Sequence, residues 1–190
     1  VDLMAELLAV PAAIVTRIDP PEIEVLRAAR VPGTLYHAGD KAAMARHYCE
    51  AVVNKNQKLQ VSHAPSDPRW NQAPEIGYGM MAYLGYPLCW PSGSIFGTIC
   101  VLDNTKNVFG ARYDKVLLEF KELIETHLSL IEMNARLTRA LAEVKVLRGL
   151  LPICCVCKRI RDDQGYWNQI EAYVQQHTDG EQGDDERGSA

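Results

Sequence analysis

The sequence predicts an α+β fold in which an antiparallel sheet is followed by one long helix. Two apolar runs, 81–89 and 95–102, flank a segment with Pro91 and Gly93, which predicts a β-hairpin. Neither run alternates between apolar and polar residues, so both strands should be covered on both faces. We expect a helix layer on one face and a ligand pocket or a second helix layer on the other. Apolar residues then recur every seven positions from Val116 to Leu151, which is typical of a helix that pairs with another helix.

Composition narrows the class of protein. The chain has 190 residues, of which 47% are hydrophobic and 23% charged, as in a globular protein. A net charge of -4 argues against a nucleic-acid partner, and no apolar run approaches the ~18 residues of a membrane span. Six cysteines without a signal peptide favour a reducing, cytoplasmic location. Because the first residue is Val1, we expect further sequence upstream.

The first sixty residues predict a hairpin flanked by helices. The proline pair Pro20 and Pro21 marks a turn, and Asp40 is placed to cap a helix whose apolar residues include Met44 and Tyr48. The predicted elements are helix 3–8, strands 12–18 and 22–31, helix 41–54 and strand 58–63.

The segment 64–79 has three prolines and two glycines without sustained periodicity. A loop this long is usually functional or a crossover of short helices. The long helix starts near Ala111, and Ile124 and Ile131 widen its apolar stripe, so its first half should also pack on its own sheet. The second half has only the heptad seam, which predicts a homodimer through residues 116–151.

The chain is therefore expected to divide into a folded domain 1–132, a coiled-coil helix 133–151, a Cys-containing segment 152–178 and a disordered tail 179–190. In the third part, a turn is predicted at 162–165. One face of a short helix should carry Trp167, Ile170, Tyr173 and Val174.

The order of elements and several motifs resemble the GAF domain of bacterial signalling proteins. The residues that carry the resemblance are segments 48–50, 67–70, 85–88 and 96–103, with Val61, and it covers about residues 5–132. It implies a central antiparallel sheet of five to six strands with helices on both sides, and a pocket under the helix and the crossover loop. GAF domains bind small molecules there or simply dimerise, and pass the change along the terminal helix to an output domain.

A second resemblance lies in residues 149–167, which look like a segment placed after sensor domains in bacterial two-component proteins. That segment usually continues to a second cysteine pair, and this chain has none. Cys154 and Cys157 have the spacing of half a zinc site, so zinc or a redox switch is one alternative.

Candidate ligand-binding residues follow from the predicted pocket. Aromatic side chains with polar tips suit a small organic or cationic ligand, and Asp67 and Arg69 are expected to orient it. The full candidate set is Tyr48, Asp67, Arg69, Trp70, Tyr83, Tyr86 and Cys100. The segment 54–56 lacks the acidic residue of cyclic-nucleotide-binding members, and the histidines share no haem or metal spacing.

Two other functions stay open. The domain could dimerise without a ligand, its pocket filled by its own side chains. Free methionine-sulfoxide reduction, performed by a branch of GAF proteins, needs two thiols within reach. Cys49 and Cys100 fall in a helix and a strand interior rather than on the expected loops, so no catalytic residue is predicted.

Overall fold

The computed structural model describes residues 1–32, 35–148, 153–161 and 166–172, with the backbone alone at 143–148. The chain divides into two compact units, 1–133 and 134–190. The helices and strands are α1 (Asp2–Leu8), β1 (Ala12–Asp19), β2 (Glu22–Ala28), β3 (Lys41–Ala43), α2 (Tyr48–Lys55), β4 (Leu59–Val61), a 3-10 turn (Ala64–Ser66), α3 (Pro74–Gly77), β5 (Ala82–Cys89), β6 (Ile95–Asp103), α4 (Ala111–Arg148), β7 (Ile160–Arg161) and β8 (Trp167–Asn168).

The first unit is built on a six-stranded sheet in the order β3-β2-β1-β6-β5-β4. Every pair of neighbours is antiparallel, and the predicted hairpin forms its β5–β6 pair. The predicted α+β class, with an antiparallel sheet and a long terminal helix, is confirmed.

Both faces of the sheet are buried, because each central strand sends apolar side chains alternately to either side. One face packs against α1 and α4 through residues such as Val15, Ile99 and Leu117. The other packs against α2 and the 64–80 segment through residues such as Ile14 and Cys100. Burial of both faces therefore explains why the two runs do not alternate between apolar and polar residues, as predicted.

The predicted helix 41–54 is wrong in its first half. Residues 41–43 form the edge strand β3, with Ala43 paired to Glu22, and the helix begins only at Tyr48. The backbone at Arg46 has φ 68°, a left-handed conformation that separates strand from helix. Asp40 does not cap the helix but accepts a hydrogen bond from the His37 amide at 2.7 Å.

The first half of α4 packs on the sheet, as predicted. Leu117 and Leu128 are buried there, and Phe120 and Ile124 pack against the same core. Ile131, expected in this stripe, is 48% exposed. Three residues of the heptad row lie outside the core: Leu123, Leu130 and Leu137 are 64%, 53% and 57% exposed.

In the second unit, β7 and β8 form a small antiparallel pair, and Ile153 bridges to Ile160. Trp167 lies in β8, so its predicted place on a helix is wrong. Tyr173, Val174, the turn at 162–165 and the tail 179–190 lie outside the described residues. No helix in the described part of the chain is both long enough and apolar enough to cross a bilayer.

Candidate ligand-binding site

A cavity of about 240 Å³ lies between the α2 face of the sheet and the segments that cover it. Its floor comes from β1, β2, β5 and β6, and its cover from residues 35–42, the start of α2, and α3 with the residue after it. Sixteen residues line it: Ile14, Thr16, Ile23, Val25, Leu35, Tyr36, Asp40, Lys41, Ala42, His47, Cys49, Glu75, Tyr78, Tyr83, Cys100 and Leu102.

Part of the floor is a buried polar cluster centred on Cys49. The hydroxyls of Thr16 and Thr98, directly paired across β1 and β6, are 2.8 Å apart. Thr98 donates its hydroxyl to Cys49 Sγ at 3.3 Å, and Tyr83 Oη lies 3.8 Å from the same sulfur. Cys100 also lines the cavity and lies near enough to Cys49 for the two thiols to affect each other's ionisation.

The two thiols differ in the direction in which their pKa values are shifted. Hydrogen bonds from Cys100 and Thr98, opposed by burial, lower the pKa of Cys49 to about 7. The hydrogen bond to Cys49, together with burial, raises the pKa of Cys100. Cys49 is therefore the thiol that ionises first, with Cys100 as its proton donor.

Gly85 allows Tyr83 to lie flat against the sheet. A Cβ at Gly85 would be 2.1 Å from Tyr83 Oη and 2.5 Å from Cζ, so the ring passes over the glycine. Residues i and i+2 share a face of a strand, which explains the approach. The missing side chain thus directs the Tyr83 hydroxyl to Cys49.

Glu75 brings a carboxylate to the wall of the cavity. It is 5% exposed, and its Oε1 lies 3.0 Å from His47 Nδ1 and accepts the Tyr48 amide at 3.2 Å. The hydrogen bond with Glu75, opposed by burial, raises the pKa of His47. Glu75 Oε2 is buried and has no hydrogen-bond partner among the described residues.

Two tyrosines and two charged residues complete the cover. The rings of Tyr36 and Tyr78 have centroids 5.7 Å apart at an interplanar angle of 52°. Burial and the nearby Glu75 charge raise the pKa of Tyr36, so its hydroxyl stays protonated near neutral pH. Asp40 and Lys41 line the cavity from the exposed side of the cover.

Of the candidate residues from the sequence, the structure places Tyr83 and Cys100 at the cavity. Tyr48 is buried beside it, with its ring centroid 4.7 Å from that of Tyr83 and 5.1 Å from that of Trp70. Asp67 and Arg69 form an exposed ion pair of 2.7 Å away from the cavity. Their roles in binding stay predictions.

Tyr86 lies on the opposite face of the sheet, because three residues separate it from Tyr83 and strand side chains alternate. Its hydroxyl donates to Asp114 of α4 at 2.6 Å. Burial by itself raises the pKa of Asp114, but hydrogen bonds from Lys58 and Tyr86 outweigh it, so the pKa is lowered overall. The face of Tyr86 follows from its spacing to Tyr83.

The sequence reasoning missed Glu75, His47, Tyr36 and Tyr78 as a group. In the sequence His47 is one of several histidines without metal or haem spacing, and Glu75 lies in a segment without periodicity. One signal was present, since Pro74 at the first turn is a helix-start residue that places the next side chain near the α3 N-terminus. Nothing in the sequence indicates that the Glu75 side chain of α3 reaches the start of α2.

Cys154 and Cys157 form a tight turn in the second unit. The Cys157 amide lies 3.5 Å from Cys154 Sγ as donor, and the Lys158 amide donates to the Cys154 carbonyl at 2.9 Å. Backbone hydrogen bonds from Cys157 and Val156 lower the pKa of Cys154. The pair suits a soft metal such as zinc, but within the described residues no three His, Cys, Asp or Glu side chains are grouped to hold an ion. The zinc prediction therefore rests on two ligands alone.

Comparison with known proteins relates the fold to solved structures. No protein-family model matches the sequence, and no curated protein matches it. The GAF domain of an Acinetobacter phosphoenolpyruvate-protein phosphotransferase has a TM-score of 0.55 at 11% identity, covering 71% of this chain and 83% of that one. The phycocyanobilin-bound GAF domain of a cyanobacterial phytochrome has a TM-score of 0.59 at 8% identity, over 70% and 82%.

A third solved structure is a type II free methionine-R-sulfoxide reductase from Thermoplasma acidophilum. It has a TM-score of 0.52 at 14% identity and covers 66% of this chain and 84% of that one. Identities this low show architecture rather than activity. Residues 1–133 of this chain therefore have the GAF fold.

Proposed function

We propose that this chain is a regulatory GAF-type sensor domain of a bacterial signal-transduction protein. It binds a small molecule in the cavity beneath α2 and passes the bound state through α4 to an output domain, in the cytoplasm. The observation that carries this proposal is the cavity itself: an apolar space that contains a buried carboxylate with an unpartnered oxygen. Apolar walls with a few placed polar groups are the usual composition of a small-molecule site.

The solved structures support the proposal at the level of fold. The cyanobacterial phytochrome domain is a GAF domain that holds phycocyanobilin, which is a small organic molecule. At 8% identity the likeness extends to the fold alone, so we propose small-molecule binding without the same ligand.

Native mass spectrometry of the purified chain tests this function. We expect an additional mass under native conditions that is lost on denaturation, after incubation with a bacterial metabolite extract. The matched variants are Ala42→Trp and Ala43→Trp. Ala42 lines the cavity, whereas its exposed neighbour Ala43 does not.

Ala42→Trp should abolish the additional mass, and Ala43→Trp should retain it. A bound molecule that persists in Ala42→Trp would place binding elsewhere on the protein. A chain without any additional mass would favour the alternative of a ligand-free dimerisation module.

We also propose that the domain works as a homodimer through residues 116–151. Next to α4, on the face opposite the ligand cavity, lies an apolar groove of about 1140 Å³. Its walls include Phe96, Phe120, Leu123 and Ile131. Leu123 lines this groove, and the exposed Leu130 and Leu137 continue the same heptad row beyond it. The occupant that we propose is therefore the same helix of a second copy.

A second candidate function, free methionine-sulfoxide reduction, is favoured by the contact between Cys49 and Cys100. In that reaction the Cys49 thiolate attacks the sulfoxide sulfur, and oxygen leaves as water after two protons are taken up. Cys100 then forms the Cys49–Cys100 disulfide and releases the thioether, so two thiols are oxidised and one sulfoxide is reduced.

Turnover of free methionine sulfoxide with dithiothreitol as reductant tests this second candidate. Activity that is lost in both Cys49→Ser and Cys100→Ser, and retained in Cys89→Ser, would establish it. An inactive wild-type chain leaves the sensor function as the one that the cavity supports.

A further inference from the structure

The wall of the cavity contains one buried carboxylate, and its two oxygens differ in their contacts. Glu75 is the buried carboxylate at its wall, and only one of its two oxygens is used: Oε1 contacts His47 and accepts the Tyr48 amide. Oε2 is buried and has no partner among the described residues. Leaving a buried charged acceptor unpaired is costly, so this oxygen requires a donor.

The other ionisable groups leave this charge largely in place. Lys41 and Asp40 both lie on the exposed part of the cover and carry opposite charges. The hydroxyls of Tyr36, Tyr78 and Tyr83 and the thiol of Cys100 are neutral when protonated. Cys49, whose pKa is lowered to about 7, adds negative charge to the floor as pH rises and so favours a cation in the same direction as loss of the His47 proton. Glu50, outside the cavity, supports the proton on His47 by its charge. Of the groups facing Glu75, His47 alone can offset its charge, by taking up a proton.

Aromatic rings stand beside the same carboxylate. Tyr36 and Tyr78 line the cavity with their rings 5.7 Å apart, and Tyr36 lies close enough to Glu75 for the two to interact electrostatically. Tyrosine faces attract organic cations, and the attraction is stronger when water is excluded. Apolar side chains such as Ile14, Val25 and Leu102 occupy the floor below them.

We propose that the cavity takes a small organic cation whose N–H group donates to Glu75 Oε2 and whose apolar part lies against Tyr36 and Tyr78. This inference rests on the proposed function, that the cavity is a small-molecule site. A carboxylate ligand is excluded by like charge with Glu75, and a neutral donor would leave the charge of Glu75 uncompensated.

The cation and the proton on His47 compete for the same carboxylate. When His47 is protonated, Glu75 already has a positive partner 3.0 Å away, and a second cation is repelled. When His47 is neutral, its Nδ1–H still donates to Oε1, and the full charge of Glu75 acts on the ligand. Binding of the cation should therefore strengthen as pH rises and should release protons from His47.

Isothermal titration calorimetry with three matched probes tests the proposal. Benzylammonium chloride, benzyl alcohol and sodium benzoate share one ring and differ in charge. Benzylammonium stays cationic between pH 6 and pH 8, because alkylammonium groups titrate near ~10. We expect benzylammonium to bind most tightly, several-fold more tightly at pH 8 than at pH 6, and benzoate to give no heat.

Two variants locate the effect. Glu75→Gln keeps the shape of the side chain and removes its charge, so benzylammonium should bind about tenfold more weakly. Its pH dependence should become weaker, because the part that comes from His47 is lost while Cys49 still ionises. Glu6→Gln makes the same exchange on α1, which packs on the opposite face of the sheet, and should bind as the wild type does. If Glu75→Gln does not fold, the order of the three probes and the pH dependence in the wild type still decide the matter.

The outcomes separate this inference from the proposed function. One contrary outcome is that benzyl alcohol binds as tightly as benzylammonium, and another is that benzoate binds most tightly, with Ala42→Trp abolishing the binding in each case. Either result would overturn the proposal of a cationic ligand and leave the cavity as a small-molecule site. No binding of any probe would also overturn the inference, whereas the native mass spectra decide the proposed function independently.

Discussion

Glu75 connects three parts of the domain through one carboxylate. It reaches from α3 to the first amide of α2 and to the His47 ring that precedes it, and it borders the ligand cavity. Because the His47 side chain offers no cap of its own, α2 obtains its N-terminal acceptor from a residue 27 positions later. The start of α2 is therefore tied to the segment that covers the cavity.

The pair of His47 and Glu75 predicts how stability depends on pH. The folded state raises the pKa of His47 above its unfolded value of about 6.5. The stabilisation by protonated His47 is then fully present below about pH 6.5 and is lost as pH rises through the higher folded value. In urea denaturation, the free energy of unfolding of the wild type relative to that of Glu75→Gln should fall across that window. The lowered pKa of Cys49 acts in the opposite direction, but it is present in both chains and cancels from the difference.

A difference that rises across the same window would contradict the His47 assignment. Glu6→Gln is the matched control, since Glu6 is exposed on α1, on the opposite face of the sheet from His47. This variant should keep the slope of the wild type.

Gly85 offers a direct test of how Tyr83 is positioned. Gly85→Ala places a Cβ 2.1 Å from Tyr83 Oη, so the ring has to leave its position over the strand and its contact with Cys49. We expect a loss of about 1–3 kcal/mol in the free energy of unfolding. Gly77→Ala is the control, because a Cβ there meets nothing within 4 Å, and should change stability by less than about 0.5 kcal/mol.

At the scale of elements, the beginning of α2 shows where sequence reasoning reaches its limit. Met44 and Tyr48 have helical spacing, yet the backbone forms β3 and a left-handed turn at Arg46 before the helix starts. The difference comes from pairing with β2, which is a tertiary interaction without a local signal. The β5–β6 hairpin was predictable because its two apolar runs and its turn lie next to each other in the chain.

The same contrast holds for the site. Tyr83 and Cys100 were predictable as cavity residues because they lie on predicted strands of the hairpin. Glu75 and His47 lie 28 residues apart in the chain and meet only through the tertiary fold. Tyr36 and Tyr78, the two tyrosines of the cavity cover, lie in loops and have no periodic pattern in the sequence.

Helix α4 has a buried stripe of core residues and an exposed heptad row. Substitutions in the two should change the free energy of unfolding by different amounts. Leu117 is fully buried, so Leu117→Ala should lower the free energy of unfolding by about 2–5 kcal/mol. Leu123 is 64% exposed, so Leu123→Ala should change the stability of the isolated fold little. Urea denaturation at a concentration that keeps the chain monomeric checks both values.

Dimerisation is the complementary prediction for the seam. Leu123→Glu with Leu130→Glu places like charges along the proposed contact between two copies and should give a monomer in sedimentation equilibrium. Leu118→Glu is the control, since Leu118 is also exposed on α4 but lies outside the heptad row. A doubly substituted chain that still dimerises would place the interface elsewhere.

At the scale of the whole sensor unit, the sheet separates the cavity from the groove and also connects them. On β6, Cys100 faces the cavity, whereas Ile99 and Val101 pack on the side of Leu117. A ligand that moves Cys49 and Cys100 therefore acts on a strand whose other face supports α4. Such a ligand shifts the proposed homodimer equilibrium only if it binds two different arrangements of α4 with different affinity.

The most direct measurement of this account is the dimer dissociation constant with and without a bound cation. Sedimentation equilibrium would be run at pH 8 with saturating benzylammonium chloride, and with benzyl alcohol as the matched neutral compound. The account predicts a change of about fivefold or more with benzylammonium and none with the alcohol. An unchanged dissociation constant in samples where benzylammonium is bound would contradict coupling between the cavity and α4.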